Sequence, residues 1–282
     1  MQHRSEKEGK IAAGIGKHQR REPDGAALSV RLARDISDLR AAQRLRYRVF
    51  VQELGADGPM VDHAQQLEMD EFDAVFDHLL LIDADRDANE WDHVVGVYRL
   101  LPGDRADAAG GFYCDGEFDL RKLRNSGRNL LELGRSCMDL AYRNSAGLLQ
   151  IWHGLAEYVQ IHDIDLLFGA ASFPGTDPEQ WRQALSCLHH DHLAPEPVRP
   201  CSRQSNGFIA SPSEAVDRRQ AMAQMPPLIR SYLRLGGRVG QGIFIDHAFQ
   251  TTDVCIILDK AALSLSARNL MRPAKALTPL MR

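Results

Sequence analysis

Apolar residues recur along this chain in two rhythms, short continuous runs and longer stripes at helical spacing, and together they predict one mixed α/β domain. Leu28–Ala33 is a first predicted strand. Asp35 or Ser37 caps a helix running to about Leu54, with Ile36, Leu39, Ala42, Leu45 and Val49 turned to a core. Leu79–Asp83 and Val94–Leu101, joined by the polar loop Ala84–Asp92, predict an antiparallel hairpin. A Gly/Pro/Asp-rich loop, Pro102–Glu117, leads to a strand over Asn129–Asp139. Leu148, Ile151, Trp152, Leu155 and Val159 then mark a helix over Gly147–His162, and the apolar run Asp165–Ser172 follows directly. That strand–helix–strand succession predicts a parallel βαβ unit.

Pro178 opens a further helix carrying Trp181, Leu185 and Leu188 on one face. Leu193–Pro212 reads as a surface excursion, and Ser213–Leu235 as helix interrupted at Pro226-Pro227. Val239–Phe249 and Val254–Asp259 read as a closing pair of strands. Residues 1–27 show no periodicity and predict a disordered arm. The tail 261–282 holds Arg268, Arg272, Lys275 and Arg282 and no acidic residue. The domain proper is therefore expected over residues 28–260.

A net charge of -4 and a pI near 6.3 give no global attraction to nucleic acid. The five cysteines are scattered and form no CxxC pair, so reduced thiols in the cytoplasm are expected, with neither a disulfide framework nor a zinc ribbon. No apolar run reaches the roughly 18–20 residues that span a bilayer. His189-His190-Asp191-His192 invites a metal reading, but adjacent histidines on a helix diverge, and helix-end packing is preferred; no metal is expected.

The most unusual local composition is Glu68–Asp77, with five carboxylates in ten residues, no Lys or Arg, and Phe72, Val75 and Phe76 drawing the segment inward. Carboxylates beside a core need a cation, since unpaired buried charge is costly. The chain's own arginines can supply it: Arg46 on the first helix, Arg99 at the end of a strand, and Arg135 three residues after Glu132. A cationic substrate can as well. Three residues along a strand put Glu132 and Arg135 on opposite faces unless a bulge intervenes, and Gly134 makes a bulge reasonable.

The set Arg46…Phe50, Glu68-x-Asp70-x-x-Asp73, Arg99 and Glu132-x-x-Arg135 resembles the shared pattern of acyl-homoserine-lactone synthases. A closer resemblance is to L-ornithine Nα-acyltransferases, the ornithine-lipid-forming group that includes sequences labelled hemolysin-like. It is carried by Leu45–Phe50, Val94–Leu101, Glu132–Cys137, Gly169–Asp177, Leu228–Leu235 and Thr251–Leu258, and covers about Leu39 to Asp259. The resemblance implies a GNAT fold, a mixed central sheet flanked by helices. It implies transfer of a (3-hydroxy)acyl chain from acyl carrier protein to the α-amine of L-ornithine, giving lyso-ornithine lipid.

On that resemblance Glu132 is the expected base. Asp70 and Asp73, assisted by Glu68, are expected to hold the ammonium groups of ornithine. Arg46, Arg99 or Arg135 would bind the acceptor carboxylate or lock those acids in place. The pyrophosphate motif of the fold, Q/R-x-x-G-x-G/A, corresponds to Arg143-Asn144-Ser145-Ala146-Gly147-Leu148 and departs from it at both glycine positions. Arg143 and Gly147 remain the expected donor-binding positions, at a helix N-terminus suited to a phosphate. The departure favours a carrier-protein donor over coenzyme A, with no cofactor beyond the donor's phosphopantetheine. Two alternatives stand beside this reading: an acyl-homoserine-lactone synthase, and a membrane-active hemolysin-like protein without enzymatic activity. The basic tail suits peripheral docking on anionic lipid at the inner membrane face.

Overall fold

A computed structural model of the chain describes residues 28–143, 145–204 and 208–263. The expected arm 1–27 and the four basic residues of the tail lie outside the described residues, as does Asn144. Among the described residues, eight strands build one central sheet. They are β1 (Leu28–Leu32), β2 (Asp77–Asp83), β3 (Val94–Pro102), β4 (Leu130–Met138), β5 (Leu166–Pro174), β6 (Arg238–Val239), β7 (Phe244–Asp246) and β8 (Thr251–Asp259). The spatial order is β1-β2-β3-β4-β5-β8-β6, with β7 also paired to β8. The pairings are antiparallel except β4 with β5, which is the expected parallel crossover.

Both faces of the sheet are covered, which is why its central strands read as continuous apolar runs rather than as an alternation. Leu79 and Leu81 of β2 pack under helix α2 (Ser145–Ile161), with Ile151, Trp152, Leu155 and Val159. Leu80 and Ile82 face the other way, onto Ala41, Ala42, Leu45 and Val49 of helix α1 (Ile36–Arg46) and its continuation. Asp35 caps α1 by accepting a hydrogen bond from the Asp38 backbone N–H at 2.9 Å. Past Arg46 the helix widens into a π-helix over Tyr47–Glu53. The expected single helix is thus two geometries in succession, and π segments recur at functional sites.

Helices α3 (Arg182–Asp191), α4 (Arg218–Gln224) and α5 (Pro227–Leu235) complete the α2 side, and the proline pair separates α4 from α5 as expected. The expected loop Pro102–Glu117 holds a short helix over Gly103–Ala108, and the closing strands also differ from expectation. Val239–Phe249 is not one strand but β6 and β7, divided by Gly240 and by Gly242 at φ +80°. Their partner β8 inserts between them and β5, pairing with β5 along its whole length from Thr251 to Asp259.

The functional region follows from a fault in the middle of this sheet. Strands β4 and β5 are each nine residues long but pair only over Leu130–Glu132 with Leu166–Phe168. Beyond that point they part. Gly169 sits at the parting; a Cβ there would lie 2.2 Å from the Leu133 carbonyl oxygen, so the backbones approach too closely for any side chain. On its other edge β4 bulges against β3: Val97 pairs with Cys137 but Arg99 with Gly134, leaving Arg135 and Ser136 opposite Tyr98. Arg135 takes φ +46°, so the left-handed residue of the bulge is the arginine and not the neighbouring glycine.

Candidate active site

The splay between β4 and β5 holds a cavity of about 280 Å³. Its walls are the parted strands (Glu132–Ser136 and Leu167–Ser172), and Phe50, Phe249, Tyr98 and Tyr232 close it with rings. Open strand edges beside an apolar slot suit an extended chain that borrows backbone hydrogen bonds.

The bulge resolves the face problem of Glu132 and Arg135. Arg135 donates from Nε to Glu68 and from Nη2 to Asp70, each at 3.1 Å. Its guanidinium lies between two rings, 4.2 Å from Phe249 and 4.8 Å from Tyr113. Glu132 turns instead to the loop before β4. Its two carboxylate oxygens accept the Tyr113 and Cys114 backbone N–H groups at 2.8 and 2.7 Å. Burial raises its pKa against the opposing pull of those donors. Glu132 therefore lines the cavity as a buried carboxylate with raised proton affinity.

The acidic run closes on arginines. Fully buried Arg46 donates from Nη1 and Nη2 to both oxygens of Asp73, at 2.6 and 2.8 Å, and from Nε to Glu68. Arg99, also fully buried, donates from Nη1 to Asp70 at 2.6 Å and to Asp73 at 2.9 Å. Gln43 adds a donor to Asp73 at 2.8 Å. Three carboxylates thus meet three guanidinium groups. Burial alone would raise Asp70 and Asp73, but the arginines beside them hold both below the usual range. His78, next to Asp73, is pushed down to about 4 by burial and by Arg46, so it adds no charge at neutral pH. Of the expected substrate-binding residues only Arg135 lines the cavity; Glu68, Asp70, Asp73, Arg46 and Arg99 stand behind it.

At the expected donor positions, Arg143 donates from Nη2 to Glu53 at 2.6 Å and from Nε to the Met138 carbonyl at 2.8 Å. A Cβ at Gly147 would stand 2.8 Å from the Tyr142 carbonyl oxygen, so this glycine lets α2 start tightly against the preceding turn. Cys137 does not line the cavity, and burial raises its thiol to about 12, which keeps it protonated. In the histidine cluster, Arg218 donates to Asp191 and His190 meets the Ser211 carbonyl at 2.7 Å.

Comparison with known proteins places this architecture. A family model described as an acetyltransferase (GNAT) domain matches residues 45–153. The chain is 54% identical over 240 residues to the L-ornithine N(alpha)-acyltransferase of Rhodobacter capsulatus, a match covering 85% of this chain and 93% of that protein. The chain belongs to the L-ornithine Nα-acyltransferase family. The family member of the same name from Brucella abortus is 42% identical over 236 residues, 82% of this chain and 84% of that one. Among solved structures, FeeM, an N-acyl amino acid synthase from uncultured soil microbes, covers 86% of this chain and 99% of its own at a TM-score of 0.52. At 11% identity it shares the fold alone.

Within this acyltransferase, sequence reasoning passed over five cavity residues. Tyr98 and Tyr232 share a hydroxyl–hydroxyl hydrogen bond at the cavity wall. Glu117, Asp246 and Asp253 bring carboxylate oxygens within 4.8 Å of one another. Asp246 and Asp253 lie on paired neighbouring strands, whereas Glu117 comes from the distant stretch Asp115–Asp119, so only the long-range pairing joins it to the other two. Asp253 falls inside the family-like stretch Thr251–Leu258, where it reads as one polar position in an apolar strand.

Proposed function

We propose that this chain transfers a (3-hydroxy)acyl group from acyl carrier protein to the α-amine of L-ornithine, releasing carrier thiol and forming lyso-ornithine lipid. The observation that carries the reading is the cavity at the β4–β5 splay, with a strand bulge and a buried carboxylate of raised pKa on its wall. The names of the relatives point to the acceptor. The absence of both motif glycines after Arg143 supports a carrier-protein donor.

In this reading the donor's pantetheine arm lies along the open edges of β4 and β5, with the thioester at the bulge. The ornithine α-amine attacks the thioester carbonyl carbon, and a C–N bond forms. A backbone N–H of the bulge at Arg135–Ser136 holds the resulting oxyanion, an interaction that strengthens only as charge develops. Glu132 takes the amine proton, directly or through a water. The C–S bond then breaks, and the carrier thiolate leaves and takes a proton. Arg135 holds the acceptor carboxylate, and the Arg46–Arg99 network with Glu68, Asp70 and Asp73 fixes Arg135 in place. Arg143 and Gly147 position the start of α2 for the donor phosphate. The reaction needs no cofactor beyond the phosphopantetheine of the donor and no metal. The basic tail is assigned to anionic lipid at the cytoplasmic face, where each Lys or Arg is worth about 1 kcal/mol.

Purified protein supplied with 3-hydroxyacyl carrier protein and ornithine should release carrier thiol and yield an N-acyl ornithine lipid in an extract. No thiol release with ornithine or any other amino acid overturns the proposal. Release from acyl coenzyme A alone would keep the acyltransfer and reassign the donor.

A further inference from the structure

One end of the cavity gathers three carboxyl groups that no cationic side chain of the described residues meets directly. Glu117 and Asp253 are almost fully buried, and Asp246, at the end of β7, is half-buried. None of the three forms an ion pair among the described residues, whereas each acid of the arginine network forms at least two. Oε2 of Glu117 and Oδ1 of Asp253 are buried without a hydrogen-bond partner among the described residues. Asp246 Oδ1 accepts only local backbone N–H groups, from Ala248 at 2.8 Å and Phe249 at 3.0 Å. Burial, together with the neighbouring acids, raises Glu117 well above the usual range. Asp253 is pushed up to about 6, although the Ser172 and Thr251 side chains ease its ionisation. Arg135 is near enough for its field to act on Glu117 and Asp253, but its Nε and Nη2 donors go to Glu68 and Asp70. Buried oxygens in this condition are completed by a proton, a water or a cation, and a cation that brings hydrogen-bond donors serves all three acids at once.

An ammonium group brings three donors, one for each acid. A hard divalent ion takes about six to eight oxygens and would bring several waters beside these carboxylates, and the apolar walls here suit an alkylammonium better than a hydrated ion. The walls beside the cluster are apolar, with Phe249 and Ile256 among them, which suits a short alkyl chain. Arg135 lines the same cavity. Tyr113, Glu117 and Asp246 also border an outer groove with Phe72 and His247, giving a small polar molecule an entry apart from the strand splay.

We propose that Glu117, Asp246 and Asp253 bind the side-chain ammonium of the acceptor amino acid, with Arg135 on its carboxylate, and so select a diamino acid over its neutral isostere. This rests on the reading of the chain as an amino-acid N-acyltransferase with a basic acceptor. The cluster is then a specificity element, separate from the group that deprotonates the α-amine.

The test compares ornithine with norvaline, which has the same carbon skeleton and no side-chain amine, using the full chain and 3-hydroxyacyl carrier protein. The ornithine-to-norvaline ratio of kcat/KM should fall about a hundredfold in D253N and in E117Q, mainly through the KM for ornithine. A ratio unchanged in both variants overturns the proposal, because the acids would then act on the shared α-amine or on the fold. Should neither variant fold, wild-type protein gives a second readout. Ornithine should raise its melting temperature, and norvaline at the same concentration should raise it much less. Equal shifts overturn the proposal, and so does an ornithine preference that EDTA abolishes and Mg²⁺ or Mn²⁺ restores. Wild-type protein that acylates no basic amino acid would overturn the underlying reading too; transfer to ornithine with an unmoved ratio would overturn this inference alone.

Discussion

Two clusters of three carboxylates lie within reach of Arg135, and they have opposite electrostatic fates. Glu68, Asp70 and Asp73 meet Arg46, Arg99 and Arg135 in a closed network behind the cavity. Glu117, Asp246 and Asp253 face the cavity and form no ion pair among the described residues. Burial acts to raise Asp70 and Asp73 of the first cluster and Glu117 and Asp253 of the second. The arginines reverse it at Asp70 and Asp73, while at Glu117 and Asp253 it prevails. The difference teaches what each cluster is ready to do. A compensated cluster is rigid and has little left to offer a ligand, whereas an uncompensated one stores a demand for a cation. The acids that meet arginines therefore mark a scaffold here, and those that meet none mark a binding surface.

Glu132 lies between the two cases, because backbone N–H groups meet it and no arginine does. E132Q carries the largest effect, a loss of about 10²–10⁴ in kcat if this carboxylate takes the amine proton. The amide also turns its NH2 towards one of two N–H donors, a conflict worth about 1–3 kcal/mol. A pH–rate profile separates the contributions: the wild-type acid limb should reflect a carboxyl raised above its ordinary range and should be missing from the variant. A rate within about tenfold of wild type would move the base elsewhere.

Next in size is the compensated cluster. R46M leaves Asp73 and Glu68 buried with their main partner gone, and breaking a buried pair from one side costs about 3–5 kcal/mol. For a domain of this size that is a drop of about 10 °C in melting temperature. A drop of only a degree or two would show that water or relaxation replaces the arginine, and the contrast between the clusters would lose its basis.

Much of this contrast was legible in the sequence, but unevenly. The hairpin β2–β3, the β4–α2–β5 crossover and the Asp35 cap follow from local periodicity and capping chemistry, which act over a few residues. The arginines could be paired with the acidic run because Phe72, Val75 and Phe76 imply burial, and buried acids need cations. The splay between β4 and β5 was not legible, since both strands look equally apolar and only a register reveals where they stop pairing. Nor was the insertion of β8 between β5 and its short partners. That insertion is what brings Asp253, already beside Asp246 on the paired strand β7, to Glu117, so the meeting of the second cluster's two parts is a product of topology.

The smallest effect sharpens the comparison most directly, because it asks what the uncompensated cluster costs when nothing is bound. Asp253 has a folded-state pKa of about 6 against an ordinary 3.8. A carboxyl raised by folding contributes stability below its unfolded pKa, and that contribution is lost as pH rises through the folded value. The wild type should therefore lose stability between about pH 4 and pH 6 on account of this group. D253N stays neutral throughout, so its melting temperature should gain on the wild type across that window and hold the gain above it. The expected gain is several degrees, the equivalent of about 3 kcal/mol at most. At Asp73 the sign reverses: its pKa is lowered by the arginines, its stabilisation is present at neutral pH, and D73N should lose most there. Melting curves of the two variants against wild type, from pH 4 to pH 8 without acceptor, should diverge in opposite directions. If D253N tracked the wild type at every pH, Asp253 would already be compensated in the empty protein, and the two clusters would be alike.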